Sequence, residues 1–143
     1  MKDTDYFIST DKSTFDFNVI FNYLSRESYW AKGIPEDVVM RSIENSISFG
    51  VFSGSNQVGF ARVVSDKATY AYLADVFILP EHRGKGLSKQ LMETILKYPE
   101  LQGLRRWVLA THDAHGLYAQ YGFTPLAKPE RWMEKHNPVV YQK

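Results

Sequence analysis

A basic turn that contains two glycines is the part of the sequence whose residue types are best suited to chemistry. It reads Arg83-Gly84-Lys85-Gly86-Leu87-Ser88-Lys89 and follows an apolar run that ends at Pro80. Glycine lets a backbone bend tightly and approach a ligand closely. Consecutive N–H groups of such a turn form a concavity for anions, and the helix predicted to begin near Leu87 adds the positive end of its dipole. The turn is therefore a candidate diphosphate site with basic side chains at its rim, although an ordinary strand-to-helix connection would use glycines in the same way.

The order of residues in this turn excludes two common nucleotide motifs. A Walker loop requires Gly-x-x-x-x-Gly-Lys-Ser/Thr, which the chain does not contain, and a dinucleotide fingerprint requires a glycine where Lys89 stands. The turn instead resembles the acyl-CoA loop of the GNAT superfamily of N-acetyltransferases, Arg/Gln-x-x-Gly-x-Gly/Ala. It matches that pattern at Arg83 and Gly86 and has Ser88 in the last small-residue position.

A second segment resembles the GNAT pattern Ala-x-x-Leu/Phe-Tyr-x-x-x-Gly-Phe, and it runs from Ala114 to Phe123. The resemblance implies that Tyr118 protonates the departing CoA thiolate. A phenol with a pKa near 10 is a suitable donor to a thiolate whose conjugate acid has a pKa of roughly 8.5. Alternatively, Tyr118 only packs its ring against the sheet. Many family members have Asn where this chain has Thr111, whose hydroxyl can still form one bond to the cofactor.

The resemblance implies acetyl-CoA as the cosubstrate, and no metal is expected. His112 and His115 do not make a convincing metal pair, because no third ligand lies at a suitable spacing. The cofactor-binding residues implied by the motifs are Val76, Phe77, Ile78, Arg83, Gly84, Lys85, Gly86, Leu87, Ser88, Lys89, Thr111, Ala114, Leu117, Tyr118 and Tyr121.

Acetyl transfer to an amine requires a free lone pair, yet an amine of pKa about 10.4 is neutral only about once in 2,500 molecules at pH 7. Asp75 is the best-placed candidate for a catalytic base, because it lies in an apolar strand just before the glycine turn. A structural role as a hydrogen-bond acceptor is equally compatible with that position, and a water relay is a third route for the proton. For the thioester oxygen, the family resemblance implies a backbone N–H from Val76 or Phe77.

The acceptor is expected between the early helices and the late segments of the chain, as the family resemblance implies. Tyr29 and Trp30 are candidate substrate-binding residues, with Arg26, Glu27 and residues 131–134 nearby in this interpretation. The two aromatic residues could equally seal the core. We expect a small-molecule primary amine because no extended charged groove is evident. An acyl-CoA-binding module without transfer activity, or a regulator that binds phosphates or nucleotides, stays open as an alternative.

The predicted elements can position these groups. Hydrophobic periodicity and turn residues predict, in order, a strand at 6–9, a helix after Ser13 or Asp16 that carries Phe17 to Leu24, a helix from Pro35 to Ile43 or Ile47, three strands at 47–52, 58–64 and 70–79, a helix from Leu87 that ends before Pro99, a strand at 106–110, a helix at 114–121, and weak strands at 124–126 and 139–142. This order predicts an α/β fold with a mixed, mostly antiparallel central sheet flanked by helices, and it also resembles the GNAT fold.

Length, composition and net charge limit the domain number, the partners and the chemistry that the chain can have. A chain of 143 residues, 44% of them hydrophobic, predicts one domain over residues 1–143. The net charge of +1 argues against nucleic acid as a partner, and the absence of cysteine excludes disulfides and thiolate nucleophiles. Residues 1–5 do not look like a signal peptide and no run is long enough to span a membrane, so a cytoplasmic location without a membrane partner is expected. The expected oligomeric state is a monomer or a homodimer.

Overall fold

The computed structural model describes residues 5–142. The expectation that residues 1–5 are not a signal peptide falls largely on residues 1–4, which lie outside that range. The strands are β1 (Tyr6–Ser9), β2 (Ile47–Ser53), β3 (Asn56–Ser65), β4 (Tyr70–Ile78) and β5 (Arg106–Val108). The α-helices are α1 (Phe17–Asn22), α2 (Glu36–Glu44), α3 (Leu87–Leu96) and α4 (His115–Ala119). A π-helical turn at Tyr23–Glu27 extends α1, and short 3-10 turns lie at Lys12–Thr14, Pro80–His82, Pro99–Leu101 and Pro129–Arg131.

The five strands form one sheet in the order β1-β2-β3-β4-β5. Neighbours from β1 to β4 are antiparallel and β5 runs parallel to β4, which confirms the predicted mixed, mostly antiparallel α/β sheet. The ladder between β4 and β5 begins at Tyr70 and Arg106 and ends at Tyr72 and Val108. Because β4 continues to Ile78, the two strands separate beyond Tyr72, and this separation opens the cleft in which the candidate site lies.

Helices cover both faces of the sheet, so the central strands are apolar on both sides. One cluster packs α3 against the sheet through Leu87, Leu91, Met92 and Ile95. The other packs α1 and α2 against the opposite face, where Phe60 and Phe77 are buried beside residues that include Ile20, Leu24, Val39 and Ile43.

The helices begin at residues whose chemistry stabilises a helix start. Asp16 caps α1, since its carboxylate accepts the N–H of Val19 at 3.3 Å. Pro35 lies immediately before α2, and Glu36 and Asp37 in the first turn complement the helix dipole. The sequence predicts Pro35 inside the first turn, whereas in the structure the helix begins one residue later, at Glu36.

The predicted strands at 124–126 and 139–142 are wrong. Pro125 cannot donate a backbone hydrogen bond, and Pro138 is followed by a turn in which the N–H of Gln142 donates to the carbonyl of Val139 at 3.0 Å. Within residues 5–142, no strand therefore pairs with the outer edge of β5. Ile47 belongs to β2 rather than to the end of α2, and α4 is shorter than predicted. No described helix is long and apolar enough to cross a bilayer.

Candidate active site

A bulge in β4 lies at the point where that strand leaves β5. Phe60 is opposite Phe77 and Arg62 is opposite Ala74, so one residue of β3 faces two residues of β4, Asp75 and Val76. Asp75 has φ of 55°, in the left-handed region that aspartate tolerates better than most residues.

On the side of β4 that faces the cleft, the N–H and carbonyl groups of every second residue point away from β3. The N–H of Leu79 donates to Val58 of β3 at 2.8 Å, whereas the carbonyl of Ile78 faces away from β3 and accepts Nε of Arg83 at 2.8 Å. Because successive peptide groups of a strand point to opposite sides, Phe77 faces β3 and Val76 directs its N–H to the side that β5 has left. Of the two residues considered for the thioester oxygen, the structure places Val76 at the cleft.

The glycine turn follows β4 and leads directly into α3. Gly84 has φ of 80° and Gly86 has φ of 78°, and Gly86 precedes the first residue of the helix. Among the described residues, no atom lies within 4 Å of a Cβ built on either glycine, so the backbone is open to a ligand. A groove of ≈ 190 Å³ runs along the turn, lined by Ile78, His82, Arg83, Gly84, Gly86, Leu87, Ser88, Lys89 and Leu117.

Arg83 lines this groove but is bonded to the protein. Besides its bond to Ile78, it donates from Nη2 to the hydroxyl of Tyr23 at 3.1 Å. Its guanidinium therefore ties the turn to β4 and to the π-helical turn, while its positive charge stays beside the groove. His82 is held in a similar way, with Nδ1 at 2.7 Å from the hydroxyl of Tyr6.

Tyr118 of α4 combines a packed ring with a hydroxyl that remains available. Its side chain lies in the core, 7% exposed, and its ring meets Phe123 edge-on at a centroid distance of 6.0 Å. Within the described chain its hydroxyl has no hydrogen-bond partner. Burial raises the pKa of Tyr118 above that of a free tyrosine, and the nearby Tyr29 and Asp113 raise it further. Tyr118 is therefore a neutral proton donor over the whole physiological range.

Thr111 precedes α4, Leu117 lies within it and Tyr121 follows it. Thr111 accepts the N–H of Ala114 through Oγ1 at 3.1 Å, which places its hydroxyl at the start of α4. Leu117 reaches the groove of the glycine turn, and Tyr121 donates its hydroxyl to the carbonyl of Lys89 at 3.3 Å, which links the turn after α4 to α3.

Tyr29 and Trp30 lie at the surface of the cleft rather than in the core. Tyr29 is 60% exposed and Trp30 is 40% exposed, so neither is part of the buried core. Their rings meet edge-to-face at 5.0 Å, and the hydroxyl of Tyr29 accepts the N–H of His112 at 2.9 Å. This bond brings the loop after the π-helical turn to the segment that precedes α4.

Asp75 is bonded through both of its carboxylate oxygens. Oδ1 accepts Nε1 of Trp30 at 2.8 Å, and Oδ2 accepts Nε of Arg62 at 2.8 Å. The structural role considered for Asp75 is therefore present. Arg62 was missed by the sequence analysis, although a lone charge in an apolar strand is the same feature that identified Asp75.

The late segment at 131–134 belongs to a different groove. Trp132 lies over the guanidinium of Arg106 at 5.0 Å, in a groove of ≈ 830 Å³ along the outer edge of β5 that shares no lining residue with the glycine turn. Arg26 and Glu27 are exposed on the π-helical turn. In the part of the chain that the structure describes, no group of His, Cys, Asp and Glu could hold a metal ion.

Comparisons with known proteins agree with this geometry. The model of the acetyltransferase (GNAT) family matches residues 17–123. A crystal structure from Xanthomonas campestris pv. campestris, described as an acetyltransferase of the GNAT family, is 54% identical, with a TM-score of 0.94 over 96% of this chain and 97% of that chain. A Gibberella zeae protein named as an acetyltransferase is 32% identical over 81% of this chain and 77% of that protein. A GNAT family acetyltransferase from Elizabethkingia anophelis, solved with acetyl-CoA bound, shares the fold at a TM-score of 0.64 and 11% identity, over 92% of this chain and 87% of that chain.

Proposed function

The chain belongs to the acetyltransferase (GNAT) family, and we propose that it transfers the acetyl group of acetyl-CoA directly to a primary amine of a small molecule. The observation that carries this proposal is the groove of the glycine turn beside the opening between β4 and β5, with Tyr118 next in the chain to Leu117, which lines that groove. The acetyl-CoA bound to the Elizabethkingia anophelis relative supports the choice of cosubstrate.

The glycine turn fits a diphosphate. Both glycines have positive φ and open space beside them, so backbone N–H groups can reach a ligand that a side chain would otherwise exclude. The N-terminus of α3, a helix of 10 residues, adds its dipole at the same place. Lys85 and Lys89 supply positive charge, while Arg83 keeps the turn attached to β4.

Different residues of the cleft act at different steps of the proposed transfer. Acetyl-CoA supplies an acetyl group activated as a thioester. Val76 donates its N–H to the oxygen of that group, where negative charge develops during attack. Tyr118 donates its phenolic proton to the sulfur that leaves. The amine loses its proton to water in the open cleft or to Asp75, and the absence of cysteine favours direct transfer over a covalent enzyme intermediate.

Tyr29 and Trp30 are positioned to contact the acceptor. Both are exposed at the cleft, and the bond from Trp30 to Asp75 links the aromatic pair to the bulge beside Val76. Two rings at right angles provide an apolar surface for a small molecule and a face for a cationic group.

Binding is tested first with a pair of glycine substitutions. Acetyl-CoA is expected to raise the melting temperature of the protein, since a ligand of the folded state stabilises it. Gly86→Ala adds a methyl group in the open space beside the turn and should reduce that shift strongly. Gly103→Ala is the matched control, because Gly103 also has positive φ, 73°, and open space around it. An equal loss of binding in both variants would contradict a site at the turn.

Transfer is tested by the release of free CoA thiol in the presence of a panel of small primary amines. Acetylated product and thiol should appear together and in equal amounts. Stabilisation by acetyl-CoA without thiol release for any amine would instead identify an acyl-CoA-binding module. A larger stabilisation by ATP or NAD than by acetyl-CoA would favour a nucleotide-binding regulator and refute the proposed reaction.

A further inference from the structure

Asp75 holds a backbone conformation that two other elements of the fold secure. Its φ of 55° lies in a region that a residue with a side chain rarely occupies unless surrounding contacts hold it there. Those contacts come from β3, through Arg62, and from the loop after the π-helical turn, through Trp30. Each partner uses a different carboxylate oxygen, so the side chain is fixed in two directions.

Arg62 is itself anchored on its far side. Its Nη1 donates to Oγ of Ser46 at 3.2 Å, and Oγ of Ser46 donates to the carbonyl of Ser42 in α2 at 2.7 Å. The side chains of Arg62 and Asp75 are only 18% and 9% exposed, so water competes little with their ion pair. A continuous set of bonds therefore runs from α2 through Arg62 to the bulge.

The conformation of Asp75 controls the group that faces the cleft. The N–H of Val76 belongs to the peptide unit that starts at the carbonyl carbon of Asp75, and that unit is planar and rotates as one piece. Any change in the backbone angles of Asp75 therefore turns the N–H of Val76.

We propose that Arg62 and Trp30 are positioning residues, which clamp Asp75 in its left-handed conformation and so aim the N–H of Val76 at the thioester oxygen. This inference rests on the proposed acetyl transfer. It assigns the carboxylate of Asp75 to positioning, since both of its oxygens already accept bonds from the protein, and it leaves the proton of the amine to water.

The test measures the carbonyl group directly. Acetyl-CoA labelled with ¹³C at the carbonyl is bound in the absence of an amine, and its infrared carbonyl band is compared with that of the free compound. A hydrogen bond from Val76 displaces the band of the bound compound to lower frequency. In Arg62→Met we expect this displacement to shrink and kcat to fall about 10- to 100-fold, the range that approaches the loss of one oxyanion donor. The ratio kcat/KM should fall by the same factor as kcat.

Further variants separate positioning from other roles. Trp30→Phe removes the bond to Asp75 but keeps a ring beside Tyr29, and it should change the band and kcat in the same direction. Arg62→Lys keeps the charge with a single nitrogen, and its carbonyl band and kcat should lie between those of the parent protein and Arg62→Met. If Arg62→Met does not fold, Arg62→Lys is the variant that tests the positioning role. Arg41→Met is the matched control, because the ion pair of Arg41 with Asp37 is exposed and long, at 3.8 Å. Neither the carbonyl band nor kcat should change in this variant.

Two results would overturn the positioning role. One is an unchanged carbonyl band in both Trp30→Phe and the folded Arg62 variant. The other is an Asp75→Asn variant that loses turnover while its carbonyl band stays in place, which would assign Asp75 to proton abstraction. Failure of the parent protein to bind acetyl-CoA is a different outcome, and it would refute the proposed function together with this inference.

Discussion

Replacing Tyr118 by phenylalanine removes one oxygen atom from the cleft and leaves the ring in place. The ring is buried and packs against Phe123, and within residues 5–142 the hydroxyl has no hydrogen-bond partner. No bond within the described protein is lost when the oxygen is removed. Stability and catalysis should therefore respond differently to this substitution.

The expected magnitudes follow from that difference. Because the hydroxyl makes no bond within the described protein, its removal should leave the free energy of unfolding unchanged to within about 1 kcal/mol. Loss of a general acid, by contrast, lowers kcat by about 10²- to 10⁴-fold. That factor corresponds to roughly 2.7–5.4 kcal/mol of transition-state stabilisation. Affinity for acetyl-CoA should stay close to that of the parent protein, because the glycine turn is not altered.

The assay combines three measurements on the same preparation: thiol release with a saturating amine, acetyl-CoA binding by calorimetry, and the melting temperature. Tyr98→Phe is the matched control, since Tyr98 is partly buried and, like Tyr118, meets a phenylalanine ring edge-on: Phe49 at 5.4 Å, on the connection between α3 and β5. This control should leave turnover unchanged. If Tyr118→Phe turns over as fast as Tyr98→Phe, Tyr118 only packs and the proton reaches the sulfur by another route.

The raised pKa of Tyr118 adds a dependence on pH. Below about pH 10 the phenol is protonated in both the folded and the unfolded chain, so it has no effect on stability there. As pH rises further, the unfolded chain ionises first and stability falls through the raised pKa of the folded state. Activity should therefore rise towards alkaline pH as the amine loses its proton, with no loss assigned to Tyr118 below about pH 10. A fall in kcat near neutral pH that disappears in Tyr118→Phe would contradict the burial argument.

Three other substitutions test the fold around the site. Ser48 is buried and its Oγ has no partner among the described residues, so Ser48→Ala should raise the free energy of unfolding by about 1 kcal/mol, measured in urea. Asp66 accepts bonds from the backbone and hydroxyl of Thr69 and from the N–H of Ala68, which lowers the pKa of its carboxyl, so Asp66→Asn should lower the melting temperature at neutral pH. That difference should shrink as pH falls below about 3.9, because the parent carboxyl then gains its proton in the unfolded chain and its stabilisation is progressively lost. In Gly59→Ala the new Cβ would lie 3.0 Å from the carbonyl oxygen of Phe77 and 2.8 Å from Cδ1 of Ile78, so we expect a loss of about 1–3 kcal/mol in stability and, since β4 is displaced, a lower kcat.

The sheet was predictable because its evidence is local. Apolar runs broken by Gly54 and by residues 65–67 indicate the meander from β2 to β4, and the crossover through α3 requires a parallel β5. The glycine turn was predictable for the same reason, since its residues are adjacent in the chain. The weak strands at 124–126 and 139–142 failed because a short apolar run indicates a strand only if a partner edge is available, and prolines interrupt this segment.

The contacts that organise the site could not be read from one sequence. Trp30 and Asp75 lie 45 positions apart and Arg83 and Tyr23 lie 60 apart, and no spacing rule connects them. The sequence does show that Asp75 and Arg62 are charged residues in apolar strands, and charges in such places require partners. It does not show that each is the partner of the other, because that depends on the register of β3 against β4 and on the bulge between them.

The cleft is a consequence of unequal strand lengths, and the turn that follows it compensates for part of the cost. β5 has 3 residues whereas β4 has 9, so the far half of β4 has backbone groups that β5 does not pair. Unpaired backbone groups are costly when they are buried. Arg83 satisfies the carbonyl of Ile78, and in doing so it holds the glycine turn against the end of the strand. The N–H of Val76 faces the same opening two residues earlier, where a thioester oxygen would meet it. One arginine of the turn motif thus supports both halves of the site, because the same side chain lines the groove of the turn and bonds to the backbone of β4.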